Sequence, residues 1–176
     1  MRPDIFMDDF ERTVYADAHY AAFGRSLTFA TRFEAMCKAL NAIVNVKKNR
    51  SSLESEDEIK RFVEKLYKLP LAQNISSIVS DKDELKIVLN KAREARNEIA
   101  HEITLGFDRC IDTLPVSAIQ NMMKRLKEIT NTLAEADKVV CFILSVVTNE
   151  PLPKPEFFQS YCKRVKQWVT ESEDIV

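Results

Sequence analysis

The chain has 176 residues, 45% hydrophobic and 30% charged, with 26 basic and 27 acidic side chains and a formal net charge of −1. That is the size of a single domain, 1–176, able to bury a core, and it carries no global positive field that would draw nucleic acid indiscriminately. Only two glycines occur, against a usual share of about 7%. This argues against a hairpin-rich β fold and against the glycine loops of phosphate- and dinucleotide-binding motifs, none of which is present.

The four cysteines, Cys37, Cys110, Cys141 and Cys162, stand far apart in the chain. None forms the close pairs that zinc and thioredoxin sites use. With only His19 and His101 beside them, no metal site and no cofactor is expected, and reduced core thiols are the plain reading. The opening Met1-Arg2-Pro3-Asp4 has no signal-peptide pattern, and the apolar runs are too short to span a bilayer. A cytoplasmic protein without a membrane partner is the expectation.

Helical period dominates the chain from its start. Phe6, Phe10, Val14, Ala18 and Ala21, then Phe29, Phe33, Met36, Leu40 and Ile43, recur three or four apart, which predicts a long first helix over residues 5–47. Gly24 is its weak point, since glycine costs about 1 kcal/mol relative to alanine in a helix. A polar loop at Lys47–Ser52 ends it. The second helix opens on the capping box of Ser55 and Glu58, buries Ile59, Phe62, Val63 and Leu66, and stops at Pro70. A polar linker with Ser76, Ser77 and Ser80 is expected next. Asp81 to Glu84 then caps a third helix whose apolar side is Leu85, Val88, Leu89, Ala92, Ile99 and Ile103, closed by Gly106. Pro115 opens a fourth helix that carries Ile119 to Val147 without a break as far as Asn149, roughly 45–50 Å of rod. Pro151, Pro153 and Pro155 punctuate the approach to a last helix with Phe158, Tyr161, Val165, Trp168 and Val169. Long amphipathic helices with modest connections predict an all-α fold, an antiparallel bundle of four to five helices.

The segment Arg96-Asn97-Glu98-Ile99-Ala100-His101 carries the chemistry. Asn97 and His101 are four apart and share a helix face within about 6 Å, and Arg93 continues the line. Arg96 is five residues before His101 and so points roughly 140° away around the axis. One helix cannot easily aim both groups at a small target, whereas two copies across a twofold axis can, each groove holding Arg96, Asn97 and His101 from both chains. An imidazole, with a free pKa of about 6.5, can take a proton from a ribose 2′-OH and return one to the leaving 5′-oxygen. A guanidinium can hold two phosphate oxygens and stabilise the added charge of the transition state. The amide of Asn97 can orient either partner. This route needs no metal. Over residues 86–97, Lys86, Lys91, Arg93 and Arg96 face only Glu94, a local balance of +3 that suits phosphate contact, with Lys91 and Arg93 as the RNA-binding candidates. Basic runs at Lys124-Arg125-Lys127 and Lys163-Arg164-Lys166 read first as solvated helix faces. His19 reads as structural or exposed, and the acidic run Glu54, Glu56, Asp57, Glu58 as helix-start electrostatics.

An Arg-Asn-x-x-x-His string late in an internal helix of an all-α chain resembles the HEPN superfamily (higher eukaryotes and prokaryotes nucleotide-binding). The resemblance implies a helical bundle that dimerises through the motif helix and, in many members, metal-independent endoribonuclease activity in toxins and phage-defence effectors. Carried onto this sequence, it makes Arg96 the phosphate contact, Asn97 the orienting residue and His101 the general acid and base. RNA, a second copy of the chain, and an antitoxin or other regulatory protein are the partners it implies. Some members bind a nucleotide or a protein and do not cleave RNA, and that is the alternative function. In toxins silenced by a small nucleotidyltransferase, a tyrosine two residues after the histidine is the acceptor; here Ile103 stands there, so that mode of silencing is not expected.

Overall fold

The computed structural model describes residues 13–79, 84–103 and 110–170, and among them it is all-α, a bundle of six helices with no strand. The helices are α1 Val14–Lys48, α2 Glu56–Tyr67, α3 Leu71–Ile78, α4 Glu84–His101, α5 Val116–Thr148 and α6 Pro155–Thr170. None is long and apolar enough to cross a membrane.

The long helices form as their side-chain period requires. Thr13 caps α1, its hydroxyl accepting the Ala16 N–H at 3.0 Å, and the helix runs unbroken through Gly24. One glycine among 35 helical residues is too small a penalty to stop a helix packed along its length. The part of the predicted first helix over residues 5–12 lies outside the described residues, as do Ser80, the Asp81 cap and Gly106. Val14 is 69% exposed, so that member of the upstream stripe is corrected; Ala18 and Ala21 are half-buried, and Ala16, Ala22 and Phe23 face the core. The Ser55–Glu58 capping box forms, with the Ser55 hydroxyl accepting from the Glu58 N–H and the Glu58 carboxylate accepting from the Ser55 N–H, each at 3.2 Å. At the other end of the chain order, Asn149 adopts φ 59, and the Glu150 N–H reaches Ser145 O at 2.9 Å, a left-handed cap that terminates α5.

One packed centre serves all the described helices except α2. Phe33 and Leu40 of α1, Leu89 of α4, Leu126, Leu133 and Val140 of α5, and Val169 of α6 are essentially inaccessible to solvent. Helix α5 packs against α1, α4 and α6. Pairings of Arg25 with Val169 and of Arg32 with the Tyr161 region set α6 antiparallel to α1. Contacts of Arg32 with Cys141 and of Lys47 with Val147 set α5 roughly parallel to α1.

Three further expectations need correction. The predicted polar linker after Pro70 is helix α3, since Leu71, Asn74 and Ile75 turn inward while Ser76 and Ser77 face solvent; a single apolar turn with serines outside reads locally as a loop. The α2 stripe is only half covered, with no residue of that helix fully buried, because α2 packs chiefly against α1. Val88 and Trp168, placed in the core by periodicity, are 37% and 44% exposed.

Two buried polar knots fix how the helices meet. Asn41 of α1 donates to Asn74 Oδ1 at 2.7 Å and accepts from Asn45 at 2.6 Å, while Asn74 donates to Leu69 O and Pro70 O. Asp137 of α5, fully buried, accepts through Oδ2 from the Tyr161 hydroxyl of α6 and from the Cys141 thiol, with Arg32 of α1 at 3.5 Å. Its Oδ1 has no partner among the described residues. Burial, reinforced by Asp137, pushes the Cys37 and Cys141 thiols up to about 12 and about 11, in keeping with free, unreactive core thiols. Asn74→Ala strands the Asn41 amide and frees two carbonyls at the start of α3, so it is expected to lower stability by about 1–3 kcal/mol, measured by urea unfolding.

Candidate functional site

The motif segment occupies the last two turns of α4, which ends at His101. The buried residues Leu89, Ala92, Ala95 and Ile99 fix the rotation of the helix, and rotation decides where each motif side chain points. His101 falls on the solvent side, exposed and with no hydrogen bond or ion pair among the described residues. Asn97, one turn earlier on the same line, is half-buried. Arg96 lies at the α1 edge, where its guanidinium meets Glu34 at 2.5 Å and donates to Asn97 Oδ1 at 3.2 Å. Within one chain no hydrogen bond or ion pair joins Arg96 to His101 among the described residues.

Glu34 is the site neighbour that the sequence reading missed. It sits on α1 with Lys38 at 2.8 Å one turn later, and side-chain exposures of 20% for Glu34 and 25% for Arg96 leave the pair partly buried. Burial works to raise the Glu34 carboxyl, but the Lys38 hydrogen bond and the Arg96 charge outweigh it and hold the group below its usual range. The only sequence signal was an acid among the apolar positions of α1, and nothing local says which face of which later helix it meets.

The local positive balance is less free than a count of residues implies. Arg96 is compensated by Glu34. Arg93 donates to Asn90 Oδ1 at 3.3 Å and lies 3.7 Å from Glu94. Lys91 is exposed and is the motif helix's open cation among the described residues. Of the basic run on α5, Arg125 is held by Glu98 through two hydrogen bonds of 2.6 and 2.7 Å and by Glu128 at 3.3 Å, which fastens α4 to α5 one turn from His101. His19 lies away from this segment on α1, its Nδ1 at 2.7 Å from Tyr15 O and its ring 4.4 Å from Tyr15, a local structural contact. The described residues contain no cluster of three or more potential metal-ligating His, Cys, Asp or Glu side chains.

Searches with the chain matched no protein-family model, no curated protein and no solved structure. The reading of the site therefore rests on its own geometry. One consequence is a pH-dependent stability term. The depressed Glu34 carboxyl stabilises the fold above its unfolded value of about 4.3, and that contribution is lost as pH falls through the lower folded value. Glu34→Gln is expected to be less stable than the parent by about 1 kcal/mol at pH 7. The gap should narrow as the solution is acidified through the carboxylate range, measured by denaturant unfolding at pH 7 and in acid.

Proposed function

We propose that the protein is a metal-independent endoribonuclease of the HEPN type, acting as a homodimer through α4, with Arg96, Asn97 and His101 as its catalytic residues and Lys91 and Arg93 as backbone contacts. The observation that carries this reading is the exposed His101 on the outward face of α4, one turn from Asn97, with Arg96 turned to the adjoining edge. Exposure leaves the imidazole reachable by a substrate and by a second subunit. Ile87, 58% exposed on the same outward face, gives a paired helix something apolar to cover. Across a twofold axis the two faces supply the imidazole of one chain beside the guanidinium of its partner.

In that groove the His101 imidazole removes the proton of the ribose 2′-hydroxyl, whose oxygen attacks the adjacent phosphorus. The bond from phosphorus to the 5′-oxygen breaks, the imidazolium returns its proton to that leaving oxygen, and the products are a 2′,3′-cyclic phosphate and a 5′-hydroxyl. Arg96 stabilises the phosphorane charge, and Asn97 holds the guanidinium through its carbonyl oxygen, as it does at rest. The setting this reading favours is that of a toxin or phage-defence component, controlled by an antitoxin or regulatory protein, in the cytoplasm.

The Arg96–Glu34 pair favours one competing reading. A guanidinium already compensated by a carboxylate can be purely structural, and the chain is then a noncatalytic HEPN-like module that binds a nucleotide or a protein. The two readings separate experimentally. The nuclease reading expects a mixed RNA substrate to be cut to 2′,3′-cyclic phosphate ends in the presence of EDTA. It expects His101→Ala to lower the rate by about 10²–10⁴ and Arg96→Ala to lower it comparably, with the dimer retained in sedimentation. Intact RNA at high protein concentration, with a melting temperature raised by a nucleotide, would assign the noncatalytic role.

A further inference from the structure

The outer edge of α6 presents a surface that the nuclease site does not use. Phe157, Tyr161, Arg164 and Trp168 recur at four-, three- and four-residue steps, one stripe over about 16 Å of helix. Phe157 and Trp168 are 42% and 44% exposed, a large area for two aromatic rings on one edge of a helix. The Arg164 guanidinium lies over the Phe157 ring at 5.1 Å from its centroid. Tyr161 anchors the stripe from beneath, its ring 5.8 Å from Phe157 and its hydroxyl bonded to buried Asp137. On the α1 side of the same edge, Arg32 is 45% exposed at its side chain, and Arg25 reaches the end of α6 through Val169 O at 3.1 Å. Lys154, the residue just before α6, is exposed. Glu156, the acid of α6, falls about 100° away around the axis from Phe157.

We propose that this edge, with Phe157, Arg164 and Trp168 at its centre, is a docking surface for single-stranded RNA. The proposal rests on the nuclease reading for its biological purpose and gives that enzyme a second point of hold on its substrate. Flat π faces alternating with guanidinium groups are what unpaired bases and their phosphates recognise, with little dependence on sequence. Charge complementarity selects this occupant, because among the described residues the stripe's exposed charge, Arg164, and the exposed Lys154 just before α6 are positive. A helical peptide would instead need aliphatic anchors at this spacing, and the stripe has none. The anchoring of Tyr161 and Arg32 at Asp137 holds the aromatic rings on a rigid base, so little ordering accompanies binding.

Trp168 is the chain's single tryptophan, so its fluorescence reports on this surface alone. The experiment titrates the full chain with a 12-nucleotide 2′-O-methyl oligouridine, which the proposed chemistry cannot cut. The expected result is saturable quenching that weakens with added salt. Phe157→Ala should raise the dissociation constant about tenfold, as should Trp168→Ala when followed by anisotropy of a labelled oligonucleotide. Trp168→Phe should stay within about threefold of the parent, as befits a retained stacking face, and circular dichroism should show all three variants folded. Arg164→Gln should reduce the slope of log affinity against log salt by about 0.7. Oligonucleotide binding without quenching, affinity unchanged in both alanine variants, or no binding would overturn the proposal. So would a polyglutamate peptide that quenches Trp168 at lower concentration than the oligonucleotide, since that would assign the edge to an acidic protein partner. Cleavage of the unmodified 12-mer by the same preparation keeps the two readings apart. His101-dependent cutting without quenching sinks the docking surface and leaves the nuclease standing, whereas quenching without cutting does the reverse.

Discussion

The contact between Arg96 and Glu34 governs what the motif helix can offer. It fastens α4 to α1 at 2.5 Å in a position shielded enough from solvent for the pair to matter more than a surface ion pair would. With Arg96 committed to the α1 edge and Leu89, Ala92, Ala95 and Ile99 committed to the core, the rotation of α4 has no freedom left, and His101 must point to solvent. Within a monomer Arg96 and His101 then face different ways, and the proposed nuclease requires a second helix of the same kind beside them, so the proposed chemistry and the proposed dimer stand or fall together.

Two buried knots do for the rest of the bundle what Arg96 and Glu34 do for α4. Asn41 and Asn74 let an eight-residue helix dock on α1, although a helix that short is marginal alone. Asp137 gathers Arg32, Tyr161 and Cys141 from three helices. Burying a carboxylate costs several kcal/mol unless its partners return it, and an apolar residue of like volume would pack without that cost. What the polar version secures is register: Tyr161 can meet Asp137 at one position of α6 only, and that position places Phe157, Arg164 and Trp168 along the outer edge.

Most of the architecture was legible in the sequence because long apolar periods survive any local ambiguity. The run from Ile119 to Val147, the Ser55–Glu58 capping box and the stop at Asn149 are each decided by residues within a few positions of one another, and each is found where expected. Helix α3 was not legible, since its evidence is one buried turn plus an asparagine whose partner, Asn41, is 33 residues away. Val88 and Trp168 misled for a related reason: periodicity tells that a face is apolar, not whether anything covers it. The helical setting of the motif segment was legible too, since it closes an internal helix as its period implies. Glu34 was not, because an ion pair between α1 and α4 leaves no mark on either helix separately.

Glu34 also bears on how Arg96 could serve a phosphate while paired at rest. A guanidinium that leaves a carboxylate normally abandons a partly buried charge, a loss that would oppose substrate binding. Here Lys38 lies 2.8 Å from the same carboxylate, so Glu34 remains compensated when Arg96 turns. The exchange then trades one charge-assisted partner for another, and its cost falls to that of reorienting a side chain. The net charge of −1 gives RNA no long-range pull at physiological salt, where screening acts within about 8 Å. On the proposed nuclease reading, association comes from contacts of short reach, which Lys91 beside the motif and the ring-and-guanidinium edge of α6 can supply.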